Sequence, residues 1–436
     1  MSNQIVVVNV SQTVAPAPST LQATGALISQ GATTTSAQTE TLITQMSDLT
    51  AILKGALALT SLVWSGGTVT ATTAVPHGFT VSDTLPLTIA GETPSGYNGT
   101  FTCTITGAST FTYPLASNPG SQTVAGVYTP EDVAELVAMA TTFFAQGKGI
   151  SVYVLELGAG NATDGVTALT TFINGSPQTI YSYLVPRYWD ANSAFLAFLA
   201  TFEATTAKTY FFITTTTGTY TSYTAQMKCA FTMVEAPSIP STEFSCAAPF
   251  AVSLSYAPST LNMVTPFAFS FLFGVTPYPL KGNNALFTAL KAASVNWVAT
   301  GAEGGISTAI LKWGTTQDGR QFTYWYSVDW HAINFQLDIA NAIINGSNDP
   351  LAPLYYNPPG IDTLQAVAQR TANRGITYGL ALGPSIVNAV PFGTYVAENP
   401  SDFPYGVYNG LSCVMTPNNP FLQITFYLNV TDFPVA

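Results

Sequence analysis

Residues 421 to 430 read Phe-Leu-Gln-Ile-Thr-Phe-Tyr-Leu-Asn-Val. Leu422, Ile424, Phe426, Leu428 and Val430 share one side of a period-two pattern, with Gln423, Thr425 and Asn429 opposite, which is the pattern of a strand. Pro420 and Pro434 bound it, where a ladder would lose its donor. The other end of the chain answers it. Ile5, Val6, Val7, Val8 and Val10, interrupted only by Asn9, form a second apolar strand. Two apolar terminal strands have to pair, because an unpaired strand edge invites another chain. Either they close the molecule's own sheet or they are arms that complete the sheets of neighbours, and the function turns on that choice.

At 436 residues the chain has room for a sizeable core and two or more domains. A hydrophobic content of 47% with 12% aromatics excludes disorder. The charged fraction is only 8%, against roughly 25% for an ordinary soluble protein. A free monomer normally stays soluble through surface charge. A surface of Thr, Ser, Asn, Gly and Ala instead suits a protein whose outside becomes interface, a trait shared with secreted and virion proteins. The net charge of -11 and scattered basic residues argue against nucleic acid as a partner.

Cys103, Cys229, Cys246 and Cys413 lack CxxC spacing and a neighbouring His cluster, which argues against zinc. They fit small buried apolar residues in a reducing compartment, although a Cys229–Cys246 bridge stays open. The start lacks a basic n-region, so no secretory signal is expected. Phe267 to Val275 is far too short for the ~20 residues that span a bilayer, so no membrane insertion is expected.

Between the terminal strands the chain changes rhythm twice. Ala15-Pro16-Ala17-Pro18 is a stiff spacer, and Ala37 to Ala58 is expected to be a helix. Residues 65–127 then carry short alternating strands at 68–73, 85–89, 99–105 and 110–113, separated by Pro76-His77-Gly78, Gly91 and Tyr97-Asn98-Gly99. This is a small inserted β-sandwich or barrel. From Thr129 helices and strands alternate. Thr129 and Pro130 open a helix that carries Val133, Leu136, Val137, Ala140, Phe143 and Phe144 inward. Strands follow at 150–157, 179–185, 210–214 and 229–234, with helices at 163–173 and 190–205. Ser259–Phe273 and Asn284–Ala293 read as helical, and 295–300 and 322–330 as strands. His331–Asn345 and a helix from Ile361 to a C-cap at Gly375 precede strands at 378–382 and 406–415. The fold class is α/β (α+β): a core of residues 21–64 and 128–415 with a mixed sheet, the inserted all-β domain, and arms at 1–20 and 416–436.

Gly158-Ala159-Gly160 follows a strand, but Thr163 stands where a dinucleotide fingerprint needs its third glycine, so an ordinary strand-to-helix loop is expected. No nucleophile elbow or Walker loop occurs, which weakens an α/β-hydrolase reading. His77 and His331 are the only histidines. His77 falls in a turn. His331, between Asp329 and Asp338 at a helix start, reads as part of a polar capping cluster. No cofactor, metal or catalytic residue is expected. Arg370 and Arg374, one helical turn apart, are two of four arginines. They are either a solvated helix face or an electrostatic contact surface toward a tube or neighbour.

Two segments resemble the contractile tail sheath protein of myovirus phages, a family related to R-type pyocin and type VI secretion sheaths. One is Phe-Phe-Ala-Gln-Gly-Lys-Gly-Ile-Ser-Val-Tyr-Val-Leu-Glu-Leu (143–157), a helix end running into a core strand. The other is the helix, loop, helix and strand from Trp330 to Gly383, with a last strand at the C-terminus. The insert, through Pro-His-Gly-Phe (76–79), Ser-Asp-Thr (82–84) and Tyr-Asn-Gly-Thr-Phe-Thr (97–102), is similar to decoration modules of phage structural proteins. The resemblance implies a non-enzymatic virion subunit that exchanges its terminal strands between copies. It implies hexameric rings stacked in a helical sleeve around the tail tube protein, between baseplate and tail terminator, assembled in the host cytoplasm. A secreted α/β ligand-binding protein and another tail or baseplate structural protein are the alternatives.

Overall fold

Gly25 to Ser29 is buried at every position, so it shows no alternation, and it becomes the middle strand of the main sheet. The computed structural model describes residues 20–175, 180–202, 208–223, 227–280, 282–302, 306–424 and 427. It divides into two units: 21–257 with 264–325, and 326–418 with 258–263.

In the first unit β1 (Gly25–Ser29) pairs in parallel with β9 (Val152–Glu156) on one side and β10 (Ser182–Leu184) on the other. The sheet extends through β11 (Tyr210–Thr215) and β12 (Ala230–Val234), both parallel. At the opposite edge β2 (Thr39–Ile43) runs antiparallel to β9. Counted along the chain, the five parallel strands stand in the order 2-1-3-4-5, a doubly wound arrangement. Strands buried on both faces read as continuous apolar runs, as Tyr-Phe-Phe-Ile in β11 does. The helices α2 (Glu131–Ala145), α3 (Ala162–Gly175), α4 (Ser193–Ala200) and α5 (Ala247–Leu254) belong to this unit. A core of Leu155, Val166, Leu169, Trp189, Phe195, Phe211 and Ile213 joins α3 and α4 to the sheet.

Between β2 and α2 the chain makes α1 (Met46–Ile52) and then a closed barrel. Its strands are β3 (Leu57–Ser65), β4 (Thr68–Thr73), β5 (Thr84–Ala90), β6 (Gly99–Gly107), β7 (Thr110–Pro114) and β8 (Val127–Pro130). They close in the order β3-β4-β7-β6-β5-β8. Leu59, Val69, Leu87, Ile105, Phe111 and Tyr128 fill the interior, while threonines alternate outward. Further on, α6 (Asn284–Ala292) leads to an antiparallel pair, β13 (Trp297–Ala302) and β14 (Ile306–Lys312).

The second unit holds α7 from Tyr326 onward (full span Phe322–Asn348), α8 (Pro358–Thr377), β15 (Ala381–Ala389), α9 (Phe392–Glu398) and β16 (Leu411–Pro417). β15 and β16 form an antiparallel two-stranded sheet whose register shifts between Leu382 and Ile386. Ala368 and Ala372 of α8 lie in one cluster with Val387, Leu411 and Cys413 of the sheet and Phe335 and Ile339 of α7. Small alanines on α8 let both neighbours approach.

Several local expectations are corrected. Ala37–Ala58 is not one helix: β2, α1 and the start of β3 share it, because Leu59 and Leu62 are needed inside the barrel. Ser259–Phe273 forms no helix among the described residues. Phe322–Trp330, aromatic enough to read as a strand, is the first part of α7. There Phe322, Tyr326 and Trp330 repeat every four residues and are all buried, so packing overrides β-propensity. Thr129 lies in β8, and Pro130 caps α2. Asn192 caps α4 through its side chain, in place of a start at Asp190.

Candidate functional site

The fold directs attention first to the carboxyl ends of the parallel strands, where doubly wound proteins hold ligands at the switch between β1 and β10. Here that crevice is filled by the chain itself. Gln30, next after β1, accepts from Tyr188 Oη at 2.6 Å and Trp189 Nε1 at 2.7 Å through its Oε1, and donates to the Asn161 carbonyl at 2.9 Å. Gly165 of α3 packs so tightly on Gln30 that a Cβ would overlap the amide. Glu156, at the end of β9, is buried and accepts five hydrogen bonds. They come from Ser29 Oγ, Gly31 N, Thr33 N, Thr33 Oγ1 and Gly158 N at 2.6–3.1 Å. The Gly158-Ala159-Gly160 loop therefore folds onto its own glutamate, as an ordinary turn.

A cleft of about 570 Å³ lies near Arg187. Arg187 bridges Glu135 and Glu235, each at 2.6 Å, and stacks 4.2 Å over the Phe244 ring. Burial pushes the Glu135 carboxyl up despite the guanidinium. Glu243, beside them, accepts from Ser245 Oγ and from Thr276 N and Oγ1. Each carboxylate is engaged by a neighbouring element, so the cluster is a structural latch. The described residues hold no group of three metal-ligating side chains. The four cysteines are unpaired, so no Cys229–Cys246 bridge forms, and burial pushes the Cys103 thiol up to about 12.

His331 sits inside α7, not at a helix start. Its Nδ1 faces the Ser327 carbonyl at 2.7 Å, and burial lowers its pKa. Gly375 is likewise no C-cap: it lies within α8, buried, where a Cβ would overlap the imidazole. The glycine is required by helix-to-helix approach. His77 is buried in the barrel, stacked on Phe79, whose N–H it accepts at 3.1 Å.

The two arginines part company. Arg374 is half-buried. It pairs with Asp338 of α7 at 2.6 Å and lies 5.4 Å over the Trp330 ring, while Thr371 Oγ1 donates to the same carboxylate at 2.5 Å. Arg374 is thus held by an intramolecular ion pair, because α7 brings Asp338 within reach. Arg370 is exposed. Both line a groove of about 350 Å³ with Asn341 and Asn345.

Among the described residues, the β15–β16 sheet is covered on one face only. Its face toward α8 is buried on β15 and half-buried on β16, but Leu382, Ile386 and Val414 on the other face are 54%, 57% and 75% exposed. Its edges differ. On β15, Val387 N–H donates to Gln369 Oε1 at 2.9 Å, Gln365 Nε2 donates to the Val387 carbonyl at 2.9 Å, and Gln369 Nε2 to the Ser385 carbonyl at 2.8 Å. Alternation along the ladder turns the backbone N–H and C=O groups of Leu411, Cys413 and Met415 away from β15, and none of them is bonded among the described residues. Of the expected arm residues, Ile5, Val6, Val7, Val8, Val10, Phe426, Leu428 and Val430 lie outside the described residues. Leu422 and Ile424 are described, in no strand, with Ile424 exposed. The role of Gln365 and Gln369 was not legible beforehand: two glutamines four apart share a helix face, but nothing local says a strand lies beneath.

No family model and no curated sequence matches the chain. Solved structures do. A chain of the anti-feeding prophage baseplate aligns with a TM-score of 0.54 and 12% identity, over 99% of this chain and 100% of that one. A chain of the anti-feeding prophage helical sheath in its contracted state aligns at 0.53 and 11%, over 99% and 100%. A sheath tail protein from Listeria innocua aligns at 0.45 and 12%, over 90% and 94%. These are parts of structural assemblies rather than enzymes. Over nearly its whole length, the chain has the fold of a contractile tail sheath subunit.

Proposed function

We propose that the protein is the structural subunit of a contractile tail sheath. Copies form hexameric rings that stack as a helical sleeve around a tail tube, and contraction drives the tube through the host envelope. Its partners are further copies of itself, the tube protein, the baseplate and the tail terminator. It acts in the virion tail after assembly in the host cytoplasm, and it uses no cofactor, nucleic acid or membrane insertion. The carrying observation is the open β16 edge in a chain whose two terminal segments are patterned as strands. Strand addition joins subunits by main-chain hydrogen bonds, which tolerate rotation of the bodies they link. Ala15–Pro18 and Pro417–Pro420 serve as spacers for the arms. Arg370, exposed beside the groove, suits a contact with the tube or a neighbour. The baseplate match favours a second reading, a sheath-like chain confined to the baseplate.

Deleting residues 1–14 tests the proposal. The truncated chain should remain folded and soluble by circular dichroism and gel filtration, yet form no tubes under the electron microscope. Normal tubes from the truncated chain would overturn the N-terminal arm, and loss of folding would place that strand in the molecule's own sheet. Purified full-length protein that makes single rings and never tubes favours the baseplate reading.

A further inference from the structure

We propose that Gln365 and Gln369 act as a built-in substitute for a strand. They close the β15 edge so that the sheet accepts a strand from a second copy at β16 alone. The inference rests on the strand-exchange reading above and adds to it which edge is open and which residues decide it. An open two-stranded sheet has two edges, and an arm added to the wrong one would place the next subunit incorrectly. On the β15 edge, both main-chain groups of Val387 and the carbonyl of Ser385 are already taken by the two glutamines. Gln369 Nε2 also lies 2.9 Å from Asn373 Oδ1, which holds its amide in place. An incoming strand would have to displace all three bonds to the strand. On β16 no bond from a described residue stands in its way.

The occupant is the segment Ile5–Val10 of another copy. Beside β16 the face toward α8 is apolar, with Leu411 and Cys413, and the other face is mixed, with Val414 between Ser412 and Thr416. Val6, Val8 and Val10 suit the apolar face and Ile5, Val7 and Asn9 the mixed one, whereas the strand from Phe421 follows β16 after only three residues, a reach of about 10 Å. From Ser11 to Thr20 the chain can span about 35 Å when extended, enough to bridge between copies.

Cysteine crosslinking in the full-length chain tests this, because a disulfide forms only where Cα atoms come within about 7 Å. Val6, Val7 and Val8 are changed to Cys one at a time and oxidised during assembly. At least one should bond to the native Cys413 of another copy. With Cys413→Ser and Ala389→Cys, which moves the acceptor to β15, crosslinking should fall by about tenfold or more. Adding Gln365→Ala and Gln369→Ala should restore it, and Gln369→Ala alone, which removes two of the three bonds, should restore it in part. Equal crosslinking to both edges in the parent chain overturns the proposal, as does no gain in the glutamine variants when circular dichroism shows them folded. Bonding of Ile424→Cys to Cys413 in place of the N-terminal cysteines overturns the choice of occupant. If no terminal cysteine reaches either edge, strand exchange itself is wrong.

Discussion

Replacing Glu156 by Gln changes one atom of a fully buried side chain and should be costly. The carboxylate ties the end of β9 to the Ser29–Thr33 loop after β1. Its Oε1 accepts from Gly31 N at 2.6 Å and Gly158 N at 2.8 Å, and its Oε2 accepts from Ser29 Oγ at 2.8 Å, Thr33 N at 3.1 Å and Thr33 Oγ1 at 2.7 Å. An amide must turn its NH2 toward one of these groups. Facing the Oε1 site, it meets two backbone donors that cannot reverse. Facing the Oε2 site, it meets two hydroxyls that can turn to accept, and only Thr33 N–H loses its partner. The second orientation is cheaper. An orphaned buried N–H costs about 1–3 kcal/mol, and the bonds kept to Gly31 and Gly158 weaken because their acceptor is now neutral. Relief from burying a charge offsets little, since five donors already solvate the carboxylate. The net expectation is a loss of about 2–4 kcal/mol. Urea unfolding followed by circular dichroism at pH 7 should show it, with the melting temperature lowered by roughly 3–6 °C for a unit of this size. Glu156→Ala, which leaves all five donors without an acceptor, should lose more. Glu156→Gln within about 0.5 kcal/mol of the parent, or Glu156→Ala no worse than Glu156→Gln, would refute the reasoning.

Excising the barrel between Ala58 and Val127, which are cross-strand partners, and joining them through two glycines should leave a soluble chain that still forms tubes. Cutting at 65–127 instead should give aggregates on gel filtration, because it strips the barrel from Leu59 and Leu62, now only 3% and 4% exposed. Arg374→Ala should lower stability by about 1 kcal/mol, as expected of a partly exposed ion pair that also stacks on Trp330. Arg370→Glu should alter monomer unfolding by less than about 0.5 kcal/mol yet reduce sleeve assembly, and normal sleeves from it would make Arg370 a solvated surface residue.

The sequence by itself determined the class of the molecule. Alternating apolar patterns report which face of a local element is buried, so the helix through Leu136 and Phe143, the strand at Tyr210–Thr214 and the inserted β module were all legible. So was the scarcity of charge. Only the tertiary structure decided the rest. Strand β1 has no alternation to read, because both of its faces are covered. Phe322–Trp330 looks like a strand until burial along one helix side outweighs its aromatic content. Gly375 reads as a helix stop, yet it is where α8 meets the His331 ring. Arg374 looks free until α7 supplies Asp338, 36 positions away along the chain. The open and closed edges of the β15–β16 sheet depend on glutamines 16 to 22 residues from the backbone they bond. Periodicity carries information over one turn or one pleat, whereas partners brought together by the fold leave no periodic mark.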